Sequence, residues 1–390
     1  MTTNVYLDNA ATTPVRPEVL EAMMPYLTAD KFGNPSSAHT HGRAAKAGVE
    51  EARRKVAAAV GCDPREVVFT SGGTESDNLA ILGSALAAKA AGRPFRVAVT
   101  ATDHKAMLAA AHAVEHLGGE EIVLPVDRHG AADLKAVDAA LAKGLAVLGT
   151  MWVNNETGVI QDVAALGERC AAAHTPFHVD AVQALGKIPC RVADSTATFF
   201  AVSGHKIGAP KGIGALVVKD RESLESLIHG GGQQWGIRPG TENVPGIVAL
   251  GRAAELAVAE VEASSARLTT LRNELERCLR ERIPDLAVSG ADATRAPHIS
   301  NLTIPGTDSS TLLMHLDLDG IACSAASACS TGAAEPSHVL IAMGLAHDLA
   351  TSSLRFSFGK QNTKADVEWV AEILPDAVAR ARQVTGALGR

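Results

Sequence analysis

The chain has 390 residues, of which 46% are hydrophobic and 20% are charged. This balance is typical of a globular protein, and the length is enough for two domains with large cores. The formal net charge of −7 disfavours nucleic acid as the main ligand, because nucleic-acid-binding proteins usually present a basic face. We therefore expect no direct nucleic-acid binding.

No apolar run is long enough to cross a bilayer, so the sequence predicts no membrane contact. Residues 1–7 lack the charged region and apolar core of a signal peptide, and we expect a cytoplasmic protein. The cysteines form no CxxC pair and show no zinc-finger spacing, which predicts free thiols and no metal site. The cysteines are Cys62, Cys170, Cys190, Cys278, Cys323 and Cys329.

Short apolar runs alternate with Ala-rich segments of helical periodicity through most of the chain. The runs predicted as strands are 66–70, 95–100, 121–125, 145–153, 176–179, 198–203 and 214–218. The segments predicted as helices between them are 76–91, 105–116 and 134–142. Such alternation indicates an α/β fold with a mostly parallel sheet that is covered on both faces.

The pattern changes after about residue 255. Beyond it the sequence predicts helices at 268–282, 312–318 and 366–382, strands at 298–304 and 354–358, and a Ser-, Ala- and Gly-rich segment at 323–336. We expect a large domain at 16–257. A smaller α+β domain would combine 1–15 with 258–390.

Two charged residues stand at the ends of apolar strands. Lys206 follows a strand and a small-residue turn, which suits an imine-forming lysine, although an ordinary surface lysine is the alternative. Asp180 ends another strand, where side chains face the ligand crevice of an open α/β sheet. The protonated pyridine nitrogen of pyridoxal phosphate would be a suitable partner for this carboxylate. A helix cap is the alternative for Asp180.

Residues 70–76 (TSGGTES) follow a strand and open a helix. Small residues such as Gly73 let the backbone approach a phosphate, which the helix start and the Thr74 hydroxyl can hold. An ordinary N-cap is the alternative. His104 could stack on a flat cofactor and move protons, although a single histidine is more often structural. Asn155, in the polar run 154–158, suits either a crevice wall or a turn.

Arg355 lies among apolar residues of a predicted strand and therefore needs an anionic partner if it is buried. A substrate carboxylate and an internal Asp or Glu are both possible partners. Cys329 lies in a small-residue segment that predicts a mobile, exposed loop, where a thiol is prone to oxidation unless it is used. Cys323, nearby, is better interpreted as a buried neighbour than as a catalytic residue.

The order of these features fits a pyridoxal-phosphate enzyme of the aminotransferase architecture. Over essentially its whole length the sequence resembles the group I cysteine desulfurases, the NifS/IscS type of class V aminotransferase-like enzymes. The resemblance rests on YLDNAATT (6–13), FGNPSS (32–37), VVFTSGGTESDNLA (67–80), VNNETGVIQD (153–162), HVDAVQALGK (178–187), SGHKIGAPKGIGAL (203–216), RPGTENV (238–244), SACS (327–330) and SSLRFSFG (352–359).

The resemblance implies a large domain with a mostly parallel sheet built on the seven predicted strands, and pyridoxal 5′-phosphate as the cofactor. Lys206 would form the covalent imine with this cofactor and move protons. Asp180 would keep the pyridine nitrogen protonated, Gln183 would bond the ring hydroxyl, and His104 would stack on the ring. The residues implied at the phosphate are Gly73, Thr74, Ser203, His205 and, from the partner subunit of a homodimer, Thr241.

The same resemblance assigns the substrate site. Asn155 and Arg355 would receive the carboxylate of L-cysteine, Asn155 also contacts the cofactor, and Asn34 lines the site. Cys329 would attack the substrate sulfur, leaving L-alanine and a persulfide that passes to a protein acceptor. Iron–sulfur assembly, tRNA thiolation and DNA phosphorothioation all draw on such donors, and the sequence does not choose among them.

Two other activities are alternatives on this fold, those of a selenocysteine lyase and of an aminotransferase. An aminotransferase would have no use for Cys329. A non-catalytic scaffold is a further alternative, which the intact Lys206, Asp180 and Cys329 disfavour.

Overall fold

The structure, a computed structural model, describes residues 4–325 and 335–388. Its strands are β1 (Val5–Tyr6), β2 (Val67–Thr70), β3 (Arg96–Thr100), β4 (Glu120–Leu124), β5 (Val147–Met151), β6 (Phe177–Asp180), β7 (Phe199–Ser203), β8 (Gly214–Val218), β9 (Ala287–Val288), β10 (Ile299–Thr303), β11 (Ile321–Ala322), β12 (Ser324–Ala325) and β13 (Ser353–Ser357). Its helices are α1 (Pro17–Leu27), α2 (Thr40–Val60), α3 (Gly73–Ala90), α4 (Lys105–His116), α5 (Leu134–Ala142), α6 (Val163–Ala172), α7 (Val244–Arg282), α8 (Ser309–Leu318), α9 (His338–Ala342), α10 (His347–Thr351) and α11 (Lys364–Leu388).

The larger sheet has seven strands in the order β2-β8-β7-β6-β5-β3-β4. Neighbours from β7 to β4 run parallel, whereas β8 runs antiparallel to both β7 and β2. The predicted α/β fold with a mostly parallel sheet is therefore confirmed. The run 145–153 forms a strand only over Val147–Met151, because Val153 leaves the ladder to bridge Ile160.

Helices cover both faces of this sheet, which explains why its central strands read as continuous apolar runs. Apolar residues of α2, α6 and the first half of α7 form the core on one face. Residues of α3 and α4 form the core on the other. Within the described ranges, no helix is both long enough and apolar enough to span a bilayer.

A second core lies around the four-stranded antiparallel sheet β12-β13-β10-β9. Helices α8, α11 and the end of α7 pack on it, as do Val5 and Leu7 from the start of the chain. Strand β1 pairs in parallel with β11. The first residues of the chain therefore join elements that lie more than 300 positions later.

Helix α7 is continuous over 39 residues, although the sequence predicted a helix only from 268. Residues 258–267 contain no Gly or Pro that would end a helix. Leu250 of α7 packs in the first core and Leu275 in the second. The predicted domain boundary at 257/258 falls inside this helix, and the division itself stays a prediction.

The parallel strands β3, β5, β6 and β7 end at the same edge of the sheet. His104, Asn155 and Lys206 lie in the segments that follow β3, β5 and β7, and Asp180 is the last residue of β6. In open α/β sheets ligands bind outside the carboxyl ends of the strands. This edge is therefore where a site is expected.

Helices α2 and α7 approach closely at Gly251, where an added Cβ would lie 2.7 Å from Ala52 Cα. We predict that Gly251→Ala lowers the free energy of unfolding by about 1–3 kcal/mol, because overpacking outweighs the gain in helix propensity. Chemical denaturation measures the change. Gly232→Ala, where an added Cβ meets nothing within 4 Å, is the control and should be near neutral. Equal stability of the Gly251 variant and the wild type would contradict this account of the packing.

Candidate active site

A cleft of about 670 Å³ opens at the carboxyl edge of the larger sheet and reaches the second core. It brings together most of the residues that the sequence analysis selected. These are Gly73, Thr74, His104, Asn155, Asp180, Gln183, Ser203, His205, Lys206 and Arg355.

Lys206 ends a short 3-10 turn (Gly204–Lys206) that directly follows β7. Its Nζ donates to the backbone oxygens of Ala10 at 2.6 Å and Ala11 at 2.7 Å. Burial, followed by the nearby Arg355, lowers the pKa of the amine to about 8. A larger fraction is therefore neutral and nucleophilic near pH 8 than for an ordinary lysine.

Asp180 is buried at the end of β6, and its Oδ1 accepts a hydrogen bond from the Val182 N–H at 2.8 Å. Burial, followed by the nearby Asp77, raises its pKa to about 8. Within residues 4–325 and 335–388 no cationic side chain forms an ion pair with it. A carboxylate held in this way is satisfied by a cationic group that enters the cleft.

Further ionisable groups lie behind Asp180. His178 shares a face of β6 with Asp180, and its Nε2 lies 3.0 Å from Asp77 Oδ1. Burial lowers the pKa of His178 to about 4 and raises the pKa of Asp77 well above its ordinary value. Asp103 accepts from the N–H groups of Thr100 at 2.7 Å and Met151 at 2.8 Å, and burial raises its pKa to about 7.

The sequence analysis gave no role to these groups. The two-residue spacing of His178 and Asp180 in an apolar strand was the available signal, because it places both side chains on one face. Asp77 lies about a hundred positions from its partner, on α3. That contact had no signature in the local pattern.

The turn between β2 and α3 has the features of an anion site. The Ser203 Oγ is buried without a hydrogen-bond partner in the described part of the chain. A Cβ added at Gly73 would lie 2.9 Å from Val182 Cγ2, so the close approach of the two segments requires glycine. Backbone N–H groups at the start of an 18-residue helix, together with a free hydroxyl, suit a phosphate group.

Two histidines line the cleft. His104 caps α4, and its Nδ1 accepts from the Ala106 N–H at 3.1 Å, which places the proton of the neutral ring on Nε2. His205 Nδ1 lies 3.2 Å from Thr12 Oγ1. Burial, followed by the charge of Lys206, lowers the pKa of each ring to about 4. Both rings are therefore neutral at physiological pH.

Arg355, on β13, brings a guanidinium from the second core into the cleft. Its Nη2 pairs with Asp8 Oδ1 at 2.8 Å and its Nη1 donates to the Asn155 backbone oxygen at 2.9 Å. The Nε is buried without a partner among the described residues. The internal carboxylate that the sequence left open as a partner is thus present. Asp8 and the Asn155 backbone oxygen therefore hold the guanidinium in one orientation in the cleft.

Gln183 and Glu156 complete the polar wall of the cleft. Gln183 Nε2 donates to the Ala10 backbone oxygen at 2.8 Å, and its Oε1 lies 3.3 Å from His298 Nε2. Glu156 accepts from the Ser337 hydroxyl. Burial raises the pKa of Glu156 to about 7. Glu156 belongs to the polar run 154–158, but the sequence analysis gave it no individual role.

Three selected residues are not in the described cleft. Asn34 and Thr241 are exposed and do not line it. Cys329 lies outside the described residues. Cys323 is partly buried against the second core, and burial raises the pKa of its thiol, which suits the predicted buried neighbour.

Comparisons with known proteins agree with this arrangement. The family model for class V aminotransferases matches residues 5–370. A cysteine desulfurase of Trichormus azollae is 44% identical over 98% of this chain and 94% of its own length. The cysteine desulfurase IscS of Dictyoglomus turgidum is 41% identical over 99% of this chain and 97% of its own. The solved structure of a NifS-like protein superposes with a TM-score of 0.90 at 33% identity, covering 97% of this chain and all of that one.

The raised pKa of Asp180 has a consequence for cofactor-free protein. Between its ordinary value of 3.8 and the folded value of about 8, the folded carboxyl keeps a proton that the unfolded chain has released. The free energy of unfolding should therefore fall as pH rises through this window, by about 1.4 kcal/mol per unit of pKa shift. Asp180→Asn keeps the acceptor for Val182 and should reduce this dependence. Asp103 and Glu156, whose pKa values burial also raises to about 7, would still contribute to it.

Chemical denaturation of cofactor-free protein at pH 5 and pH 8 measures the effect. Asp292→Asn, at a carboxylate whose side chain is 83% exposed, is the control and should retain the wild-type dependence. An Asp180→Asn profile with the wild-type slope would show that Asp180 does not titrate in this window.

Proposed function

Because this chain belongs to the class V aminotransferase family, and within it to the NifS/IscS-type cysteine desulfurases, we propose that it transfers the sulfur of L-cysteine to Cys329. Pyridoxal 5′-phosphate is the cofactor of this family and of this enzyme. The observation that carries the proposal is the cleft itself. A buried carboxylate without a cationic partner and a lysine of lowered pKa share it, beside an anion cradle.

The residues of the cleft fit this cofactor. The Ser203 hydroxyl has no described partner, and Gly73, which packs closely against Val182, presents backbone without a side chain at the start of α3. Thr74 and His205 would also contact a phosphate held there. Asp180 would then pair with the pyridine nitrogen. In the protein alone, burial of Asp180 costs free energy and the Ser203 hydroxyl makes no hydrogen bond. The bound cofactor would supply the missing partners.

The other roles follow from position in the cleft. Gln183 would bond the ring hydroxyl, since its amide group is already fixed by Ala10 and His298. His104, neutral and held at the start of α4, would lie against the ring and exchange a proton through Nε2. Lys206 would bond the cofactor covalently and, when displaced by substrate, move a proton to and from the substrate α-carbon.

Substrate recognition would use the fork of Arg355 and the amide of Asn155. The Asp8 pair and the Asn155 backbone oxygen hold the guanidinium in the cleft. A substrate carboxylate would accept charge-assisted hydrogen bonds from the guanidinium N–H groups that Asp8 and the Asn155 backbone oxygen leave free, and such bonds are stronger than neutral ones. The orientation fixed by Asp8 lowers the cost of ordering the long side chain.

The sulfur transfer balances without an added oxidant or reductant. Bound cofactor supplies an electron sink for the pair released when the carbon–sulfur bond breaks. The Cys329 thiolate forms a sulfur–sulfur bond to the departing atom. L-Cysteine and the Cys329 thiol thus become L-alanine and a Cys329 persulfide. The persulfide would pass to a nucleophile of an acceptor protein.

We place this reaction in the cytoplasm. All described cysteines are free thiols, which suits a reducing compartment. Iron–sulfur assembly, tRNA thiolation and DNA phosphorothioation remain the candidate destinations of the sulfur. Trapping the persulfidated protein with cell lysate and identifying the labelled acceptor distinguishes these routes.

A homodimer would complete the site. Asn34 and Thr241, both expected at the site, lie outside the cleft of their own chain, and a partner subunit could supply them. Large apolar side chains are exposed on α1 and beside Asn34, including Leu20 at 48%, Leu27 at 57% and Phe32 at 63%. Such exposure is typical of a protein–protein interface.

We predict that Cys329→Ser binds cofactor and L-cysteine but lowers sustained L-alanine release by about 10³-fold or more, because the acceptor of sulfur is gone. Visible absorbance on adding cysteine reports substrate binding, and alanine assay reports turnover. Cys323→Ser is the matched control and should turn over at nearly the wild-type rate. Normal turnover in Cys329→Ser would overturn the proposed sulfur transfer and leave an aminotransferase or lyase reaction.

We predict that Phe32→Asp converts the dimer to monomer, because a charge at the centre of an apolar interface is left unpaired. Analytical ultracentrifugation measures the mass. Val123→Asp is the control, since Val123 is 48% exposed on the edge strand β4, remote in sequence from Asn34 and Thr241. A wild-type monomer, or two variants with the same mass distribution, would contradict the proposed interface.

A further inference from the structure

A second cavity, of about 370 Å³, lies behind the catalytic lysine. It is enclosed by the N-terminal segment 13–17, the turn at Ile207 and Gly208, the loop 359–361 and the side of α7. Lys206 lines both this cavity and the main cleft. The second cavity is thus separate from the phosphate cradle at Gly73 and Ser203, but it shares a wall with the reacting amine.

The charges around this cavity are unbalanced. Four cationic side chains line it, and Glu260 is the one carboxylate among its described lining residues. The cationic residues are Arg16, Lys187, Lys206 and Lys360. Glu260 is already engaged, because Arg16 binds both of its oxygens at 2.8 and 3.0 Å and Lys360 approaches at 3.3 Å. The cavity therefore retains an excess of positive charge after these pairs are counted.

Lys187 is the residue that carries this excess. Lys187 is half-buried and lines the cavity. Among the described residues no hydrogen bond or ion pair joins its Nζ to another group, and partial loss of water lowers its pKa to about 8. The amine is still mostly protonated at pH 7. The charge of Lys187 also acts on its neighbours: after burial, it is one of the causes that lower the pKa of Lys206 and of His298. An ammonium that is partly removed from water and has no carboxylate beside it is stabilised by an anion that reaches it.

The rest of the lining defines the shape of a suitable ligand. Its walls are largely apolar and include Pro14, Val15, Ile207, Ala257 and Leu268. The volume lies within the range of small-molecule sites, which are mostly apolar with a few polar groups that fix orientation. These features suit a molecule with one anionic head and a short apolar body.

We propose that this cavity is a second ligand site, which binds a small organic anion through Lys187, with a carboxylate or phosphate group at the ammonium. The ligand would lie between the N-terminal segment, the turn of the catalytic lysine and the loop 359–361. Its occupancy would stabilise the contacts between these three segments. It would also reduce the positive field at Lys206.

The test uses the cofactor-loaded enzyme, so that the phosphate cradle of the main cleft is filled. Inorganic phosphate and butyrate are titrated separately by isothermal calorimetry, and thermal unfolding is followed at each concentration. Lys187→Met keeps the apolar stem and removes the charge. Lys360→Met is the matched control, because it removes a cavity lysine that is 66% exposed and already paired with Glu260.

We expect one of the two anions to bind once per chain, and Lys187→Met to weaken that binding by about tenfold or more, whereas Lys360→Met changes it by less than about threefold. The identity of the bound probe tells carboxylate from phosphate recognition. Without anion, Lys187→Met should unfold at the same or a higher temperature, because an unpaired, half-buried charge is replaced by an apolar side chain. With anion, only the wild type and Lys360→Met should gain stability.

Three results would overturn the proposal. They are binding of neither probe, equal weakening by both substitutions, and a Lys187→Met variant that is less stable than the wild type without anion. The last would mean that Lys187 has a structural partner. None of these outcomes bears on sulfur transfer to Cys329, so the two proposals fail separately.

Discussion

The burial of Asp180 and Lys206 in one cleft is the constraint on which the rest of the site depends. Loss of water raises the pKa of the carboxyl and lowers the pKa of the amine, each to about 8. Neither change stabilises the protein alone, because burial disfavours both charged forms. In the proposed holoenzyme, a ring with a protonated nitrogen beside Asp180 and a carbonyl beside Lys206 would use both groups. The cost of burial would then be recovered on cofactor binding.

The sheet itself sets the relative position of Asp180 and Lys206. Strands β6 and β7 are parallel neighbours, so Asp180 and the turn after Ser203 reach the same edge. The second core contributes the opposite wall through Arg355, and Asp8 links that arginine to the N-terminal segment whose carbonyls hold Lys206. The site therefore requires both cores, although each core is built from its own apolar set.

Local pattern was sufficient to predict the seven strands of the larger sheet, the strands β10 and β13 of the smaller one, and the residues at strand ends. The two-residue strands β1, β9, β11 and β12 are too short to show a period and were not predicted. Positions at the end of, or within, apolar strand patterns marked Asp180, Lys206 and Arg355 as candidate site residues. The family resemblance then assigned their roles. Pairings between distant residues were not predictable in this way. Asp8 contacts Arg355 across 347 positions, and His178 contacts Asp77 across 101. The continuous helix α7 was missed because a change of packing partner along a helix leaves no break in its sequence.

Polar groups that lack a counter-ion or a hydrogen-bond partner occur in both the main cleft and the second cavity. In the first, the buried Asp180 accepts from the Val182 N–H but has no cationic partner, and the Ser203 Oγ has no hydrogen bond among the described residues. In the second, the half-buried Lys187 has no carboxylate beside it in the part of the chain that the structure describes. Folded proteins satisfy nearly all such groups, because each unsatisfied one costs about 1–3 kcal/mol. In the main cleft the proposed cofactor would supply the missing partners. The same reasoning applied to Lys187 calls for an anion, and because Lys206 also lines the second cavity, that anion would lie where it influences the amine proposed to be catalytic.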